Sequence, residues 1–165
     1  RQAWMWQMAF WLAIAKSLVE SEPSLSNYTM EVYARVTLAQ ILRDREIFNL
    51  AEGHLEEAIE VCIELSGVKP ENPEYHRLLG ESRNNLGVVF LLTGDYDRAR
   101  QSFSNAGLAF NNALALLSSP AIRDGLAWSK SYLGAAFHKL NRTKESEAAY
   151  QEALSIREQA KARCN

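Results

Sequence analysis

Apolar residues recur along the whole chain at intervals of three and four positions, the spacing that places them on one face of a helix. No extended stretch alternates apolar and polar residues between turn signals, so the sequence predicts no strand. Two helix starts are marked by a capping residue followed by proline, at Asn72-Pro73 and Ser119-Pro120. Gly53, Gly94 and Asn141 mark helix ends, because glycine and asparagine tolerate the left-handed conformation found there. The sequence therefore predicts seven helices, at about residues 2–20, 27–51, 54–66, 73–93, 95–117, 120–140 and 143–161.

The chain repeats itself at a fixed offset of 47 residues. Six residues of one predicted helix recur unchanged in a later one: Pro73, Leu79, Ser82, Leu86, Gly87 and Phe90 return as Pro120, Leu126, Ser129, Leu133, Gly134 and Phe137. In the helices that follow, the corresponding residues are Ala99, Phe103 and Ala106 in one and Ser146, Tyr150 and Ala153 in the other. We expect a weaker third copy upstream at an offset of 41 residues, in Ala58, Cys62 and Leu65. Small residues at recurring positions let paired helices pack closely, and stacked pairs bury a continuous core.

The repeated residues resemble the tetratricopeptide repeat, whose pattern is W-x2-L-G-x2-Y followed by A-x3-F and a further alanine. The middle unit matches with Arg83-x2-Leu86-Gly87-x2-Phe90 and Ala99-x3-Phe103, and has arginine where tryptophan usually stands. The last unit follows the same plan with Lys130-x2-Leu133-Gly134-x2-Phe137. The period exceeds the usual value of about 34 residues. Together with Asn84-Asn85-Leu86 and Ser155-Ile156-Arg157-Glu158, it resembles kinesin light chain repeats and the repeat tails of bacterial signalling proteins, including some Ser/Thr kinases.

The resemblance covers about residues 28–160, and the first unit departs from it most. There the pattern is met by Arg35-x2-Leu38-Ala39-x2-Leu42, which predicts a first helix about two turns longer than usual. In the opening helix, Phe10 and Ala13 are spaced like Phe103 and Ala106, as in the second half of a repeat. The resemblance implies an all-α, right-handed superhelical solenoid of antiparallel helix pairs. We expect one domain over 1–165, with a half repeat at 1–22 and repeats at about 27–66, 73–117 and 120–161.

Composition narrows the classes of function. A content of 47% hydrophobic and 23% charged residues is typical of globular chains. A net charge of -2 and a pI near 6.0 provide no basic surface for nucleic acid. Cys62 and Cys164 lie too far apart in the sequence to indicate a disulfide framework or a zinc site. We therefore expect a reducing, cytoplasmic location. Because the chain begins with Arg1 inside an apolar helical pattern, we also expect it to be a fragment of a longer protein.

The aromatic opening run, residues 3–15, allows three interpretations: a buried helix, a truncated membrane segment or an interface helix. The run is too short to span a bilayer before Lys16 and Glu20, which favours the buried helix. Trp4, Met8 and Trp11 form one apolar stripe on this helix. If the stripe lacks a partner helix, it predicts self-association through the tryptophan-rich end.

Residues with catalytic or metal-binding chemistry are sparse. His54, His76 and His138 have no second ligand type at metal spacing. The carboxylates alternate with lysine and arginine at helical spacing, as on a solvated face. We predict no enzyme, no catalytic residue and no cofactor. An enzyme within these residues would need a buried acid or nucleophile that the pattern does not reveal.

The resemblance implies that the first helix of each pair lines a concave groove that holds a peptide. Carried onto this sequence, the groove residues are Glu81, Asn84, Asn85, Val88, Leu91, Trp128, Ser131, Tyr132, Ala135, His138 and Lys139. The lysine and asparagine clamp of chaperone-binding members has no counterpart here, which disfavours a chaperone tail as ligand. The prediction is a protein-binding scaffold. The alternative is a structural or regulatory segment of a larger signalling enzyme, for example a kinase, with a groove that holds its own chain.

Overall fold

The computed structural model describes residues 3–162, without the side chains of 3–5, 8 and 160–162. This part of the chain forms seven α-helices and no strand: α1 (Ala3–Ser21), α2 (Leu25–Arg43), α3 (Phe48–Val68), α4 (Pro73–Thr93), α5 (Tyr96–Leu116), α6 (Pro120–Lys139) and α7 (Thr143–Ala162). The all-α prediction is confirmed, and five of the seven predicted helices agree with the structure to within one residue at each end.

The predicted boundary between the second and third helices is wrong. Helix α2 ends at Arg43, not at residue 51, and Gly53 lies inside α3. The turn is made by Glu46, whose φ of 62° lies in the left-handed region. Glutamate is not expected in that conformation, so the sequence contains no conventional signal for this turn. Helix α2 is therefore not lengthened.

The same type of turn joins the two helices of each pair. Glu46 corresponds to Gly94 (φ 85°) and Asn141 (φ 59°), the other two residues with positive φ in the described chain. One residue further on, a backbone N–H donates across the turn to the backbone oxygen five residues before it. These hydrogen bonds are Ile47 N to Leu42 O, Asp95 N to Phe90 O and Arg142 N to Phe137 O, each 2.9 Å long. The pairs therefore share one helix-ending motif, of the Schellman type.

The helix starts give the true period. The first helices of the pairs begin at Leu25, Pro73 and Pro120, which are 48 and 47 residues apart, and the second helices keep the same spacing. The expected offset of 41 for the upstream copy is therefore wrong by seven residues. The counterparts of Ala99, Phe103 and Ala106 are Ala51, Leu55 and Ala58, all buried. The additional residue lies in the connection 69–72, which is one residue longer than 117–119.

Consecutive helices pack against one another in sequence order, and α4 also contacts both α2 and α6. The pairs α2–α3, α4–α5 and α6–α7 therefore stack as a solenoid with their first helices on one side. Within the middle pair, a Cβ built on Gly87 would lie 2.6 Å from Cε1 of Phe103. Gly87 thus lies at a close helix crossing, which its size predicts.

Each pair carries a basic residue that reaches from its first helix to its second, at the position where the sequence pattern has tryptophan. Arg35 pairs with Glu57, and Lys130 Nζ lies 2.5 Å from Glu152 Oε2. In the middle pair, Arg83 donates to the backbone oxygen of Asn105, 3.2 Å away. A cation thus replaces the tryptophan in the contact between the paired helices.

The buried face of α1 differs from the one that the sequence predicts. Among the α1 side chains that the structure describes, Leu12 and Ala15 are buried, whereas Phe10 and Ala13 are exposed. A difference of two positions rotates a side chain by about 200°, so the predicted pair faces away from α2. Trp6, Phe10 and Trp11 are exposed, which contradicts a fully buried helix. The side chains of Trp4 and Met8 lie outside the described residues, so self-association through the stripe stays a prediction.

Candidate functional site

A cleft of about 580 Å³ lies on the side of the solenoid formed by the first helices of the pairs. Its lining residues come from α2, α4 and α6, with one ring from α5: Val36, Gln40, Arg43, Glu81, Asn84, Asn85, Val88, Phe110, Ala121, Asp124, Gly125, Trp128 and Tyr132. The cleft therefore spans all three pairs. Its volume is within the range that holds a few side chains of a ligand.

Six of the eleven predicted groove residues line this cleft: Glu81, Asn84, Asn85, Val88, Trp128 and Tyr132. The other five, Leu91, Ser131, Ala135, His138 and Lys139, do not. Leu91 is partly buried against the core, and His138 and Lys139 are exposed near the end of α6. On α6 the cleft lies toward the N-terminal half of the helix, where Ala121, Asp124 and Gly125 take part in the lining.

The sequence prediction names groove residues only on the second and third pairs, so three lining residues on α2 are missing from it. The correct offset of 48 residues carries Asn84, Val88 and Leu91 onto Val36, Gln40 and Arg43. The internal repeat therefore contained the signal that locates this wall of the cleft.

The two asparagines of α4 connect neighbouring helix pairs. Asn85 Oδ1 accepts from Gln40 Nε2 at 3.2 Å, and Asn85 Nδ2 donates to the backbone oxygen of Glu81 at 2.9 Å. Asn84 Oδ1 accepts from Ser129 Oγ at 2.9 Å. These bonds fix the amides, and each Nδ2 keeps a second N–H for a ligand.

The aromatic residues of the cleft belong to a stack that extends from the core to the surface. The ring centroids of Phe103 and Tyr132 are 5.2 Å apart, and those of Tyr132 and Trp128 are 5.6 Å apart. Beyond them, the Arg157 guanidinium carbon lies 5.4 Å from the Trp128 ring centroid. Phe103 is buried, whereas Trp128 is 53% exposed. The stack thus holds an exposed indole in a fixed position.

Charged residues connect α2 and α4 at one side of the cleft. Arg77 contacts both Glu74 and Glu81, and its Nη2 donates to Tyr33 Oη at 2.7 Å. The hydrogen bond from Arg77 holds the pKa of Glu74 below its ordinary value. Burial raises the pKa of Glu81, because desolvation outweighs the attraction of Arg77. Burial and a hydrogen bond to Glu74 raise the pKa of Tyr33 to about 12.

The described residues contain no group of three side chains able to hold a metal ion. The Cys62 thiol is buried, and burial raises its pKa to about 12, so it stays protonated and is a poor nucleophile. Burial, and then the charge of Arg35, lower the pKa of His54. Neither residue lines the cleft.

The sequence profile of the tetratricopeptide repeat matches residues 33–74 and 126–160. The chain carries tetratricopeptide repeats. These repeats are protein-interaction scaffolds, and their first helices line the concave side, as α2, α4 and α6 do here. No helix among residues 3–162 has both the length and the apolar character needed to cross a bilayer.

A solved structure shows the same fold. BtubC (BKLC) from P. vanneervenii superimposes with a TM-score of 0.68 at 21% identity, covering 92% of this chain and 57% of that one. The chain thus spans little more than half the length of BtubC. A thermophilic TPR protein from Thermus thermophilus aligns with a TM-score of 0.43 at 26% identity, covering 98% of this chain and 75% of that one. A comparison with curated protein sequences finds no significant match.

Proposed function

We propose that the cleft between α2, α4 and α6 binds a peptide segment of a partner protein. The observation that carries the proposal is Trp128, a half-exposed indole held by stacking inside a concave site. A rigid aromatic residue offers a large apolar contact with little rotamer entropy to lose, which is why tryptophan is enriched among binding hot spots.

The other lining residues supply the remaining parts of a peptide site. Val36 and Val88 extend the apolar surface across α2 and α4. The free N–H of Asn85 and the amide of Gln40 can meet peptide carbonyls, because their other hydrogen bonds already fix their orientation. The site combines a central apolar anchor with a polar surround, the usual anatomy of a protein interface.

Trp128→Ala tests this function against a matched control. Short peptides selected from a random library on the wild-type protein are titrated into both variants by fluorescence polarisation. We expect Trp128→Ala to raise Kd by about tenfold or more, the effect of losing a hot-spot side chain. Trp11→Ala removes an equally exposed tryptophan outside the cleft and should leave Kd unchanged. Equal Kd values for wild type and Trp128→Ala would exclude the cleft as the binding site.

We also place the protein in the cytoplasm, because its two cysteines are far apart in sequence and Cys62 is a free, buried thiol. Self-association through α1 is a further proposal, supported by the exposure of Trp6, Phe10 and Trp11.

A further inference from the structure

We propose that the α4–α6 part of the cleft selects peptides that present a lysine or arginine side chain, with its charged end at Asp124 and Glu81. The inference rests on the proposed function, since it names the chemistry of the peptide that the same cleft receives.

The charges of the cleft leave one side chain uncompensated. Arg43 is the cation of the lining, and its Nη2 lies 2.8 Å from Asp44 Oδ1. Glu81 is paired with Arg77. Asp124 is exposed and has no ion-pair partner among the residues that the structure describes. The lining therefore presents a negative charge that a cationic ligand group can neutralise, whereas an acidic peptide would find its potential partner, Arg43, already engaged.

The shape beside Asp124 suits a long side chain with an aliphatic stem. Asp124 and Trp128 lie one turn apart on α6, and Gly125, which lies between them in the sequence, also lines the cleft. The Phe110 ring lies against Gly125, where a Cβ would come within 2.5 Å of Cε1. Ala121, one turn before Gly125, is also small. Apolar lining from Trp128, Ala121 and Phe110 thus adjoins the Asp124 carboxylate, and lysine and arginine bury their methylene stems on such surfaces while the charge stays at the end.

Glu81 strengthens the preference. It lines the same cleft from α4, and its carboxyl is partly removed from water, which raises its pKa. A charge in a partly desolvated site interacts more strongly with a nearby cation than a fully solvated charge does. Arg77, which forms an ion pair with Glu81 along α4, does not line the cleft. The two carboxylates thus contribute unequally: Asp124 supplies the unpaired charge, and Glu81 supplies a less solvated neighbour.

The test uses immobilised pools of random peptides whose central residue is fixed as arginine, lysine, glutamine or glutamate. Retention of the full chain is measured on each pool at equal peptide density. We expect the arginine and lysine pools to retain about fivefold more wild-type protein than the glutamine pool, the effect of one partly exposed charge pair. The glutamate pool should retain the least. Raising the salt concentration should reduce these differences.

Three variants make the outcome decisive. Asp124→Asn should bring the ratio of arginine to glutamine retention towards one, whereas Asp124→Glu, which keeps the charge, should preserve it. Glu147→Gln removes the same charge from an exposed position on α7 and should leave the ratio unchanged. Circular dichroism confirms that each variant is folded.

The failures of the two proposals can be told apart. Retention that depends on Trp128 but does not distinguish arginine from glutamine would overturn this inference and leave the peptide site standing. A charge preference that persists in Asp124→Asn would also overturn it. If Trp128→Ala retains every pool as well as the wild type does, the cleft is not the binding site, and both proposals fall.

Discussion

The two junctions between neighbouring helix pairs distribute large and small side chains differently over three equivalent positions. Where the second pair meets the third, the central residue is Phe110 on α5, which is 1% exposed. Its ring is held between Gly80 of α4 and Gly125 of α6. A Cβ built on Gly80 would lie 2.8 Å from Cε2, and one built on Gly125 would lie 2.5 Å from Cε1, on the other side of the ring. One large side chain therefore fills a space left by two glycines.

Where the first pair meets the second, the equivalent positions are filled the other way. Cys62 of α3 takes the central position, and Val32 and Leu78 take the places of the glycines. All three are buried in one apolar cluster. A small central residue is thus compensated by two branched neighbours. The two junctions indicate that the repeat constrains the total side-chain volume at a junction. The way in which the three positions share this volume can vary.

The polar contacts of the two junctions differ as well. The first junction carries the charged group of Tyr33, Glu74, Arg77 and Glu81. At the second, the cross-helix hydrogen bonds of Asn84 join neutral groups, because Asn84 Oδ1 accepts from Ser129 Oγ and Asn84 Nδ2 donates to the backbone oxygen of Gly125. Acid and salt should therefore act on the first junction and leave the second unaffected.

Phe110→Ala should have the largest effect. Removing a buried ring held between two glycines leaves a cavity that the surrounding helices cannot fill, at a cost of about 3 to 5 kcal/mol. Cys62→Ala, at the equivalent position of the first junction, removes one atom and should cost about 1 kcal/mol. Urea unfolding followed by helical circular dichroism measures both. Equal losses of unfolding free energy in the two variants would show that the central residue does not differ in importance between the two junctions.

Gly125→Ala should have a smaller effect. The added methyl collides with the Phe110 ring, and overpacking costs about 1 to 3 kcal/mol. The better helix propensity of alanine offsets about 1 kcal/mol of this. Gly53→Ala is the matched control, because Gly53 lies within α3 and an added Cβ there has no atom within 4 Å. It should stabilise the protein by about 0.5 to 1 kcal/mol. Opposite signs are expected in the same unfolding assay, and a stabilised Gly125→Ala protein would refute the contact.

The last two pairs could be predicted from sequence because their markers are conventional. Pro73 and Pro120 begin their helices, and Gly94 and Asn141 end them. In the first pair the pattern at Arg35 gave the register of α2, but the end of α2 and the register of α3 could not be predicted, because the turn residue is Glu46. Periodicity offered no correction: a shift of seven residues rotates a helix by only about 20°, so the wrong register buries the same face. Cys62 was therefore matched to Phe103, although its true counterpart is Phe110.

The lining residues of the cleft also differ in whether the sequence could predict them. The α4 residues that the sequence predicts, such as Asn84 and Asn85, line the cleft because the pattern fixes their register. On α6 the prediction extended to Lys139, beyond the end of the cleft. The contributions of Asp124 and Gly125 depend on where Phe110 meets α6, which is a tertiary contact that one helix pattern does not contain.

Glu74→Gln should give the smallest effect and tests the difference in charge between the junctions. Arg77 lowers the pKa of Glu74 in the folded state, so the ionised carboxyl stabilises the protein at neutral pH. That contribution is lost as the pH falls below the ordinary carboxyl value of about 4.5 and through the folded-state pKa. Because Glu74 is about one-third exposed, solvent screening limits the loss at neutral pH to at most about 1 kcal/mol.

The matched variant at the second junction is Asn84→Ala, which removes a neutral hydrogen bond to Ser129 and should cost about 1 kcal/mol at every pH. Unfolding free energies of the two variants and the wild type are compared at neutral pH and in the acid range. The deficit of Glu74→Gln should shrink towards zero in acid or high salt, because protonated Glu74 no longer attracts Arg77, while that of Asn84→Ala persists. A Glu74→Gln deficit independent of pH would mean that the Tyr33–Glu74–Arg77 contact acts through packing and neutral hydrogen bonds, and the contrast between a charged and a neutral junction would be lost.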